Sequence, residues 1–393
     1  MQLQQEKTLR KSLIAAITFA LGTLTASAQS LDDLNIQFHG YATQGFLYTT
    51  NNNIFTTSSS NGSPAWTDAV VNLSAQPTPK LRVAFQVRYF LLGNYGNTIT
   101  LDWAAADYKV NDRFGLRFGK VKTPIGLFNE IQDIDPSYLW ALLPESVYPI
   151  DNRSSYLAHY GGVVYGTVAL SPQLGKLEYR AFGGEGHYSA NDGYFIAQAE
   201  AGFNLPNDIK GPLYGGALHW KTPLTGLMVG ASAIKDNTWT APYTANSGAL
   251  TGSETLLANT QPNYFAIYDK DKIMVAAEYT RSWGNQLVHL PGTPDSYTRN
   301  DDRGWYAMAS YKITPKLTTG AYVSQNDDRQ APVSSDRHYN EWVVSGRYDF
   351  NDFLYAKAEE HFIDGTGLAY DDNLNPDLQP KTRLSVLKIG VSF

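Results

Sequence analysis

The sequence predicts an all-β protein, a transmembrane antiparallel β-barrel of about sixteen strands with short turns at one end and long loops at the other. Three observations point to this fold class. Apolar and polar residues alternate with a period of two, short and long connections alternate between these segments, and the last segment ends on Phe393. A period of two indicates a strand with two different faces. We expect one face to contact lipid and the other to line the barrel interior.

The composition agrees with this class and excludes others. The 393 residues include no Cys, so disulfides, thiolate metal sites and cysteine nucleophiles are excluded. Charged residues make up 17% of the chain, against roughly 25% in soluble domains. Aromatic residues reach 13%, and such rings suit the boundary between lipid and water. The net charge of −6 gives no general attraction to a polyanion, so we expect no nucleic-acid partner.

Residues 1–28 are predicted to be a signal peptide. Three basic residues precede the uncharged, mostly apolar stretch 13–24, and residues 26–28 have the A-x-A pattern of a cleavage site. A membrane-anchoring helix is the alternative, but twelve residues at about 1.5 Å each cannot cross about 30 Å of hydrocarbon. We expect residues 29–393 to form the mature barrel domain, with 28 basic and 36 acidic residues and a net charge of −8. Its apolar runs are too short for a helical membrane span.

Strand alternation is clearest in residues 81–91, where one face is wholly apolar and the other carries Arg82 and Arg88. Sixteen segments of this kind are predicted, with fourteen or eighteen as alternatives. An even number places both termini at the end with short turns and leaves no open edge. The predicted strands are residues 35–49, 66–75, 80–92, 98–110, 113–122, 160–170, 176–187, 211–221, 226–235, 262–268, 272–282, 303–313, 316–326, 338–350, 353–363 and 382–393.

The final strand carries the most specific local signal. Residues 387–393 read LKIGVSF, with apolar side chains at alternate positions and an aromatic residue at the end. This pattern resembles the C-terminal strand of bacterial outer-membrane proteins, which the barrel assembly machinery recognises. The resemblance implies a Gram-negative outer-membrane location and contact with outer-membrane lipid. The alternative is a soluble strand that happens to end in Phe.

Residues 115–149 carry a second resemblance. They read GLRFGKVKTPIGLFNEIQDIDPSYLWALLPESVYP, with a G-[KR]-x-K-T-P-x-G-L turn, an N-E-x-x-D step and an L-P-x-S-x-Y-P close. This segment resembles the phosphate-selective porin (porin O and P) superfamily of Gram-negative outer membranes. The resemblance implies a sixteen-stranded, usually trimeric channel in which the third long loop, residues 123–156, folds into the lumen and narrows it. The dense arginine ladder and lysine cluster of phosphate-specific members are not seen here, so a general porin is implied.

Strand phase predicts the charges of the lumen. If the apolar faces meet lipid, eight basic side chains face inward together with five acidic ones. The predicted pore-lining residues are Arg82, Arg88, Arg117, Arg180, Lys312, Arg347, Lys357 and Lys388. A basic wall would favour anions in a narrow passage. The alternative is that these charges pair across neighbouring strands and leave an almost neutral, weakly selective pore. Lys120 and Lys122 share the phase of Phe118 and are expected to point outward unless the strand bends.

The loop of residues 123–156 is predicted to set acidic side chains against the basic wall, which would produce a transverse field that orients dipolar solutes. The predicted constriction-loop residues are Asp133, Asp135, Glu145, Asp151 and Arg153. The alternative is a solvated loop without a selective role. The aromatic residues of this region either form a platform for sugars or aromatic acids or anchor the loop against the wall; they are Tyr138, Trp140, Tyr148 and Tyr156.

Other chemistry is weakly represented. The seven His residues form no zinc-hydrolase motif, and residues 371–377 lack the turn glycine of a calcium loop, so no metal and no cofactor are expected. His159 with Ser154 or Ser155 lacks an orienting motif, which disfavours a barrel enzyme. We expect a trimeric passive porin for small hydrophilic solutes, favouring anions. A non-conducting structural or adhesive barrel is the main alternative.

Overall fold

The structure, a computed structural model, describes residues 34–189, 209–245, 251–370 and 372–393, with a few single positions between 190 and 208. The predicted signal peptide, residues 1–28, lies outside the described residues. Within these ranges, sixteen antiparallel strands pair edge to edge and the first strand pairs with the last. The predicted fold class, a closed antiparallel barrel of sixteen strands, is confirmed.

Each of the sixteen predicted segments corresponds to a barrel strand. The barrel strands are β1 (Gln37–Thr49), β2 (Ser63–Thr78), β3 (Leu81–Leu92), β4 (Tyr95–Asn111), β5 (Phe114–Lys122), β6 (Ala158–Ala169), β7 (Lys176–Tyr188), β9 (Ile209–Lys221), β10 (Leu227–Asp236), β12 (Thr251–Lys270), β13 (Ile273–His289), β14 (Ser296–Lys312), β15 (Leu317–Asp328), β16 (His338–Asp349), β17 (Leu354–Asp364) and β18 (Lys381–Ser392). Two further strands, β8 (Phe203–Asn204) and β11 (Trp239–Ala245), pair within the long loops.

Strands β12, β13 and β14 are longer than predicted. Their ladder continues through residues 251–261 and 283–302, which were assigned to loops because they are rich in Thr, Ser, Asn and Asp. Alternation between an apolar and a polar face is needed only where one face meets lipid. A strand that rises above that band can be polar on both faces, so its sequence looks like a loop.

Side-chain exposure alternates along the strands as the barrel requires. On β18, Leu387, Ile389 and Val391 are 58%, 49% and 47% exposed, whereas Val386 and Lys388 are 1% and 5% exposed. The exposed set is apolar and continuous with exposed Tyr, Trp, Phe and Val residues of the other strands. These side chains form the outward face, and the buried set points into the barrel.

The barrel closes between β1 and β18 near the end with the short turns. The backbone N–H of Gly40 donates to the carbonyl of Phe393 at 3.0 Å, and the N–H of Phe393 donates to the carbonyl of Gly40 at the same distance. The ring of Phe393 stacks on Phe38 with 5.5 Å between centroids. The terminal aromatic residue therefore takes part in closing the barrel.

The connection between β5 and β6, residues 123–157, lies inside the barrel and is named the interior loop. It ends in the short helix α1 (Arg153–Leu157). Its apolar side packs on the inner face of β13–β16, where loop and wall side chains form a buried cluster. That cluster contains Phe128, Leu139, Trp140, Leu143, Val147, Tyr148, Ala276, Tyr306, Met308, Tyr322 and Val343. The hydrophobic core of this protein therefore sits within the barrel, between the loop and the wall.

In the part of the chain that the structure describes, helices are short, and none has the length and apolar character needed to cross a membrane.

Candidate functional site

The interior loop begins with a close approach to β13. Gly126 has a φ of +62°, and a Cβ at this position would lie 2.5 Å from Oε1 of Glu278 and 2.6 Å from the hydroxyl of Tyr148. The backbone N–H of Leu127 donates to the Tyr148 hydroxyl at 2.8 Å, which in turn donates to Glu278 at 2.6 Å. Only glycine fits this turn, and the turn directs the rest of the loop into the lumen.

Asp135 joins the loop to strands β17 and β18. Its carboxylate lies 3.1 Å from Nζ of Lys357 on β17 and 2.5 Å from Nζ of Lys388 on β18, and it accepts a hydrogen bond from Tyr355 at 2.7 Å. All three charged side chains are nearly inaccessible to solvent. Burial alone would raise the pKa of Asp135, but the two lysines hold that pKa well below its usual range. This loop carboxylate is therefore a charged anchor.

Asp133 contacts the wall formed by β3–β5. Its carboxylate accepts hydrogen bonds from Lys122 at 2.7 Å, from Gln86 at 2.7 Å and from the indole of Trp103 at 3.1 Å. Lys122 therefore points inward, and its expected outward direction was wrong. Lys122 is the last residue of β5, and its Nζ also donates to the carbonyl of Glu130 at 2.8 Å, so the side chain turns toward the interior loop where the strand ends.

Two buried arginines lie beside this contact. Arg88 binds Asp68 through Nε at 2.7 Å and Nη2 at 2.9 Å, and Arg153 of α1 binds Asp102 through Nη2 at 2.9 Å. Gln86 also donates to Asp102 at 3.1 Å. The two ion pairs are almost fully removed from solvent, so they position the loop and the wall rather than presenting free charge.

Glu145 occupies a different environment from Asp133 and Asp135. It is buried, its Oε2 accepts the backbone N–H of Ile150 at 3.0 Å, and its Oε1 has no hydrogen-bond partner among the described residues. Burial, reinforced by the nearby charge of Asp151, raises its pKa well above the usual value. Asp151 itself is half-buried at the edge of the loop.

Glu359 on β17 holds the middle of the loop. It accepts the backbone N–H groups of Ala141 at 2.8 Å and Leu142 at 3.1 Å. His361 lies between Glu359 and Glu341, at 3.2 and 3.1 Å, and joins the two carboxylates. The role of His361 was missed because its partners are visible only once the loop and the strands are placed together.

The predicted pore-lining cations are mostly paired. Arg88, Lys357 and Lys388 bind the acids described above. Arg117 contacts Asp107 at 3.1 Å, Arg180 contacts Glu130 at 3.4 Å, and Arg347 contacts Asp349 at 2.8 Å. Arg82 donates to the hydroxyl of Ser74 at 3.3 Å, and Lys312 is exposed at the short-turn end of β14.

The balance of eight inward cations against five acids was therefore wrong. Asp68, Asp102 and Asp107 also face inward, and the interior loop brings Glu130, Asp133 and Asp135 to the wall. A loop residue has no strand phase, so its contribution to the lumen could not be counted from alternation. Asp102 sits where the pairing of β3 and β4 shifts register, which also hides its direction.

The loop rings anchor the loop rather than stand free. Trp140 is completely buried and meets Tyr322 edge to face at 5.1 Å. Tyr148 is buried between Phe128 and Tyr306, and its hydroxyl is engaged by Glu278. These contacts favour the anchoring alternative over a stacking platform.

Cavities lie on both sides of the interior loop. The lower cavity, on the short-turn side, has a volume of about 560 Å³ and is lined by Arg82, Arg117 and Lys122 together with Asp107, Glu130 and Asp133, among others. The upper cavity, on the long-loop side, has a volume of about 220 Å³ and is lined by Glu145, Arg153, Asn263, Thr280, Asp302 and Asn326, among others. The lower cavity is balanced in charge, and the upper cavity is polar with an acidic excess.

Comparison with known proteins identifies solved structures of similar fold. A scan against protein-family models and a search of curated proteins found no match. Among solved structures, Salmonella typhi OmpF in complex with daunomycin has a TM-score of 0.57 at 13% identity, over 93% of this chain and 99% of that chain. OmpT of Vibrio cholerae in its trimer form has a TM-score of 0.53 at 13% identity, over 91% of this chain and 99% of that chain. An anion-selective porin from Comamonas acidovorans has a TM-score of 0.51 at 9% identity, over 91% and 99%.

These likenesses show the fold. The chain forms a barrel of the kind found in Gram-negative outer-membrane porins. The finer resemblance of residues 115–149 to phosphate-selective porins stays a prediction.

Proposed function

We propose that this protein is a passive outer-membrane porin for small hydrophilic solutes. The observation that carries the proposal is the interior loop, which crosses a barrel whose outside is apolar and leaves polar cavities on either side of it. Such an arrangement narrows a water-filled passage without filling it. Solutes would move down their gradient with no catalytic step, no cofactor and no energy input.

We further propose that the charge selectivity of the pore is weak. Anion preference was expected from an unbalanced basic wall, yet six of the eight predicted cations have a carboxylate within 4 Å. A paired charge contributes little to the field along a passage. The remaining preference for anions would rest on Arg82, which lines the lower cavity without an ion pair among the described residues.

The partners follow from the same proposal. The mature chain, residues 29–393, would reach the outer membrane after removal of residues 1–28 and would be folded there by the barrel assembly machinery. Its exposed apolar face would contact lipid and neighbouring copies in a homotrimer. Support for the trimer comes from OmpT of Vibrio cholerae, whose solved structure is described as a trimer form.

The test is conductance of the purified protein in planar lipid bilayers. The proposal expects ohmic current steps and a small zero-current potential in a salt gradient. Absence of conductance from protein shown to be folded would reject the porin and favour a structural or adhesive barrel. Hydrolysis of outer-membrane lipid by the same preparation would favour a barrel enzyme instead.

A further inference from the structure

Two residues that line the upper cavity, Glu145 and Asn263, each carry a buried hydrogen-bond acceptor without a partner among the described residues. On the loop side, Oε2 of Glu145 is engaged by the N–H of Ile150, and Oε1 is left without a partner among the described residues. On the wall side, Nδ2 of Asn263 donates to Glu278 at 3.1 Å, which sets the orientation of the amide and leaves Oδ1 unpartnered. Glu145 and Asn263 are only 4% and 2% exposed.

A third acceptor, Asp302 on β14, lines the same cavity. Its neighbour Asp301 forms ion pairs with both nearby arginines, at 2.6 Å from Arg281 and 3.2 Å from Arg303. Asp302 stands directly opposite Asp328 on β15, so a second carboxylate adds negative potential beside it. No ion pair of Asp302 occurs among the described residues.

The cation of this cavity does not offset these acids. Arg153 lines the upper cavity, but its guanidinium is bound to Asp102 at 2.9 Å, and this pair is neutral as a unit. Nε of Arg153 has no hydrogen-bond partner among the described residues, and no ion pair of Glu145 or Asp302 occurs among them. Burial without a counter-cation raises the pKa of Glu145, and a bound cation would favour its ionised form. Buried acceptors without donors are costly, and a ligand that supplies donors would remove that cost.

We propose that the upper cavity is a binding site for a small organic cation with a primary ammonium group. An ammonium carries three donors and a positive charge, and it would contact Oε1 of Glu145, Oδ1 of Asn263 and the carboxylate of Asp302. Tyr148 and Tyr156 complete the loop side of the lining. A volume of about 220 Å³ far exceeds the ~15 Å³ that one water molecule needs, so the cavity has room for a molecule.

The test is isothermal titration calorimetry of the purified full-length protein in detergent, with 1,4-diaminobutane as the probe and with acetate and magnesium at matched ionic strength for comparison. We expect saturable binding of the diamine and none of acetate. Glu145→Gln and Asp302→Asn should each weaken diamine binding about tenfold, because each removes a carboxylate that the bound ammonium would hold in its ionised form.

The matched control is Glu130→Gln on the same loop. Glu130 lines the lower cavity and contacts Arg117 and Arg180, so its loss should change diamine affinity less than about twofold. Asp302→Asn keeps the proposal testable if Glu145→Gln does not fold, because Asp302 is less buried.

Three results would overturn the site: no saturable diamine binding to the wild-type protein, equal binding of acetate, or equal weakening by Glu130→Gln. Tight binding of magnesium with no diamine binding would also overturn it and would assign the cavity to an inorganic ion. Calorimetry measures binding and does not depend on conductance, so the result for this site is independent of the result for the proposed porin function.

Discussion

Replacing Asp135 with Asn tests how firmly the interior loop is held. Asp135 faces Lys357 at 3.1 Å and Lys388 at 2.5 Å, and the side chains of all three are at most 4% exposed. Removing this carboxylate leaves two buried ammonium groups without a counter-charge. Breaking a buried pair by removing one partner costs about 3–5 kcal/mol. We expect the free energy of unfolding to fall by that amount, since the neutral amide retains the shape of the side chain but not its charge.

The assay is urea unfolding of the barrel in lipid vesicles, with cleavage of residues 123–157 by an added protease as a second readout. The variant loop should be cut faster, because its strongest charged contact with β17 and β18 is gone. Asp112→Asn is the matched control: Asp112 also pairs with a lysine, Lys109, at 2.7 Å, but on the surface, where such pairs contribute little. A loss below about 1 kcal/mol with unchanged cleavage would refute the anchoring role of Asp135.

The contribution of Asp135 to the stability of the folded protein should decrease at low pH. Because the pKa of Asp135 is lower in the folded protein than in the unfolded chain, its stabilising effect is present above the unfolded pKa of about 3.9 and is lost as the pH falls further. The difference in stability between wild type and Asp135→Asn should therefore be constant from about pH 5 to 7 and shrink below about pH 4. A difference that shrinks instead as the pH rises from 5 to 7 would contradict this assignment.

Three other predictions address the packing of the interior loop on the barrel wall, the charge of the pore and the closure of the barrel between β1 and β18. Gly304→Ala should lower the free energy of unfolding by about 1–3 kcal/mol, because the new methyl group would clash with the carbonyl of Ser146 in the interior loop. Gly346→Ala is the control, since no atom lies within 4 Å of the added methyl group, and it should change the free energy of unfolding little. Equal losses in the two variants would argue against close packing of the interior loop on β14. Arg82→Glu should move the zero-current potential toward cation preference in bilayers, and an unchanged potential would show that Arg82 does not set the charge of the lower cavity. Phe393→Ala should slow folding into vesicles, followed by gel mobility, because the stack on Phe38 at 5.5 Å is lost; wild-type kinetics would argue against that role.

Strand positions were predictable because lipid on one side and water on the other impose a period of two. The segment 81–91 shows this well: Val83 and Phe85 are exposed on the outer face, and Gln86 and Arg88 are buried inside. Alternation of apolar and polar residues is required only in the part of a strand that contacts lipid. The prediction failed for residues 251–261 of β12, where Leu256 and Leu257 are adjacent among mostly polar residues, so alternation is absent although the ladder continues.

The contacts of the candidate site were not predictable from local pattern. The partners Asp135 and Lys388 are 253 positions apart, and nothing near either residue specifies the other. Alternation gave Lys388 an inward direction, but the acid that meets it belongs to a loop without periodicity. Glu145 was named as a loop acid from its charge, whereas Asn263, which lines the same cavity, lies in a strand where no charge draws attention to it.

The pairing of β1 with β18 has a consequence for how the chain is made. Tyr41 stands opposite Ser392, so the contacts that finish the structure join residues from opposite ends of the described chain. Contacts of such long sequence separation form slowly. During synthesis and export, β1 has an unpaired edge on one side until β18 arrives, and a chain cut short before β18 would leave open edges on both β1 and β17. Such edges pair readily with other chains, so incomplete molecules would aggregate rather than form a smaller barrel.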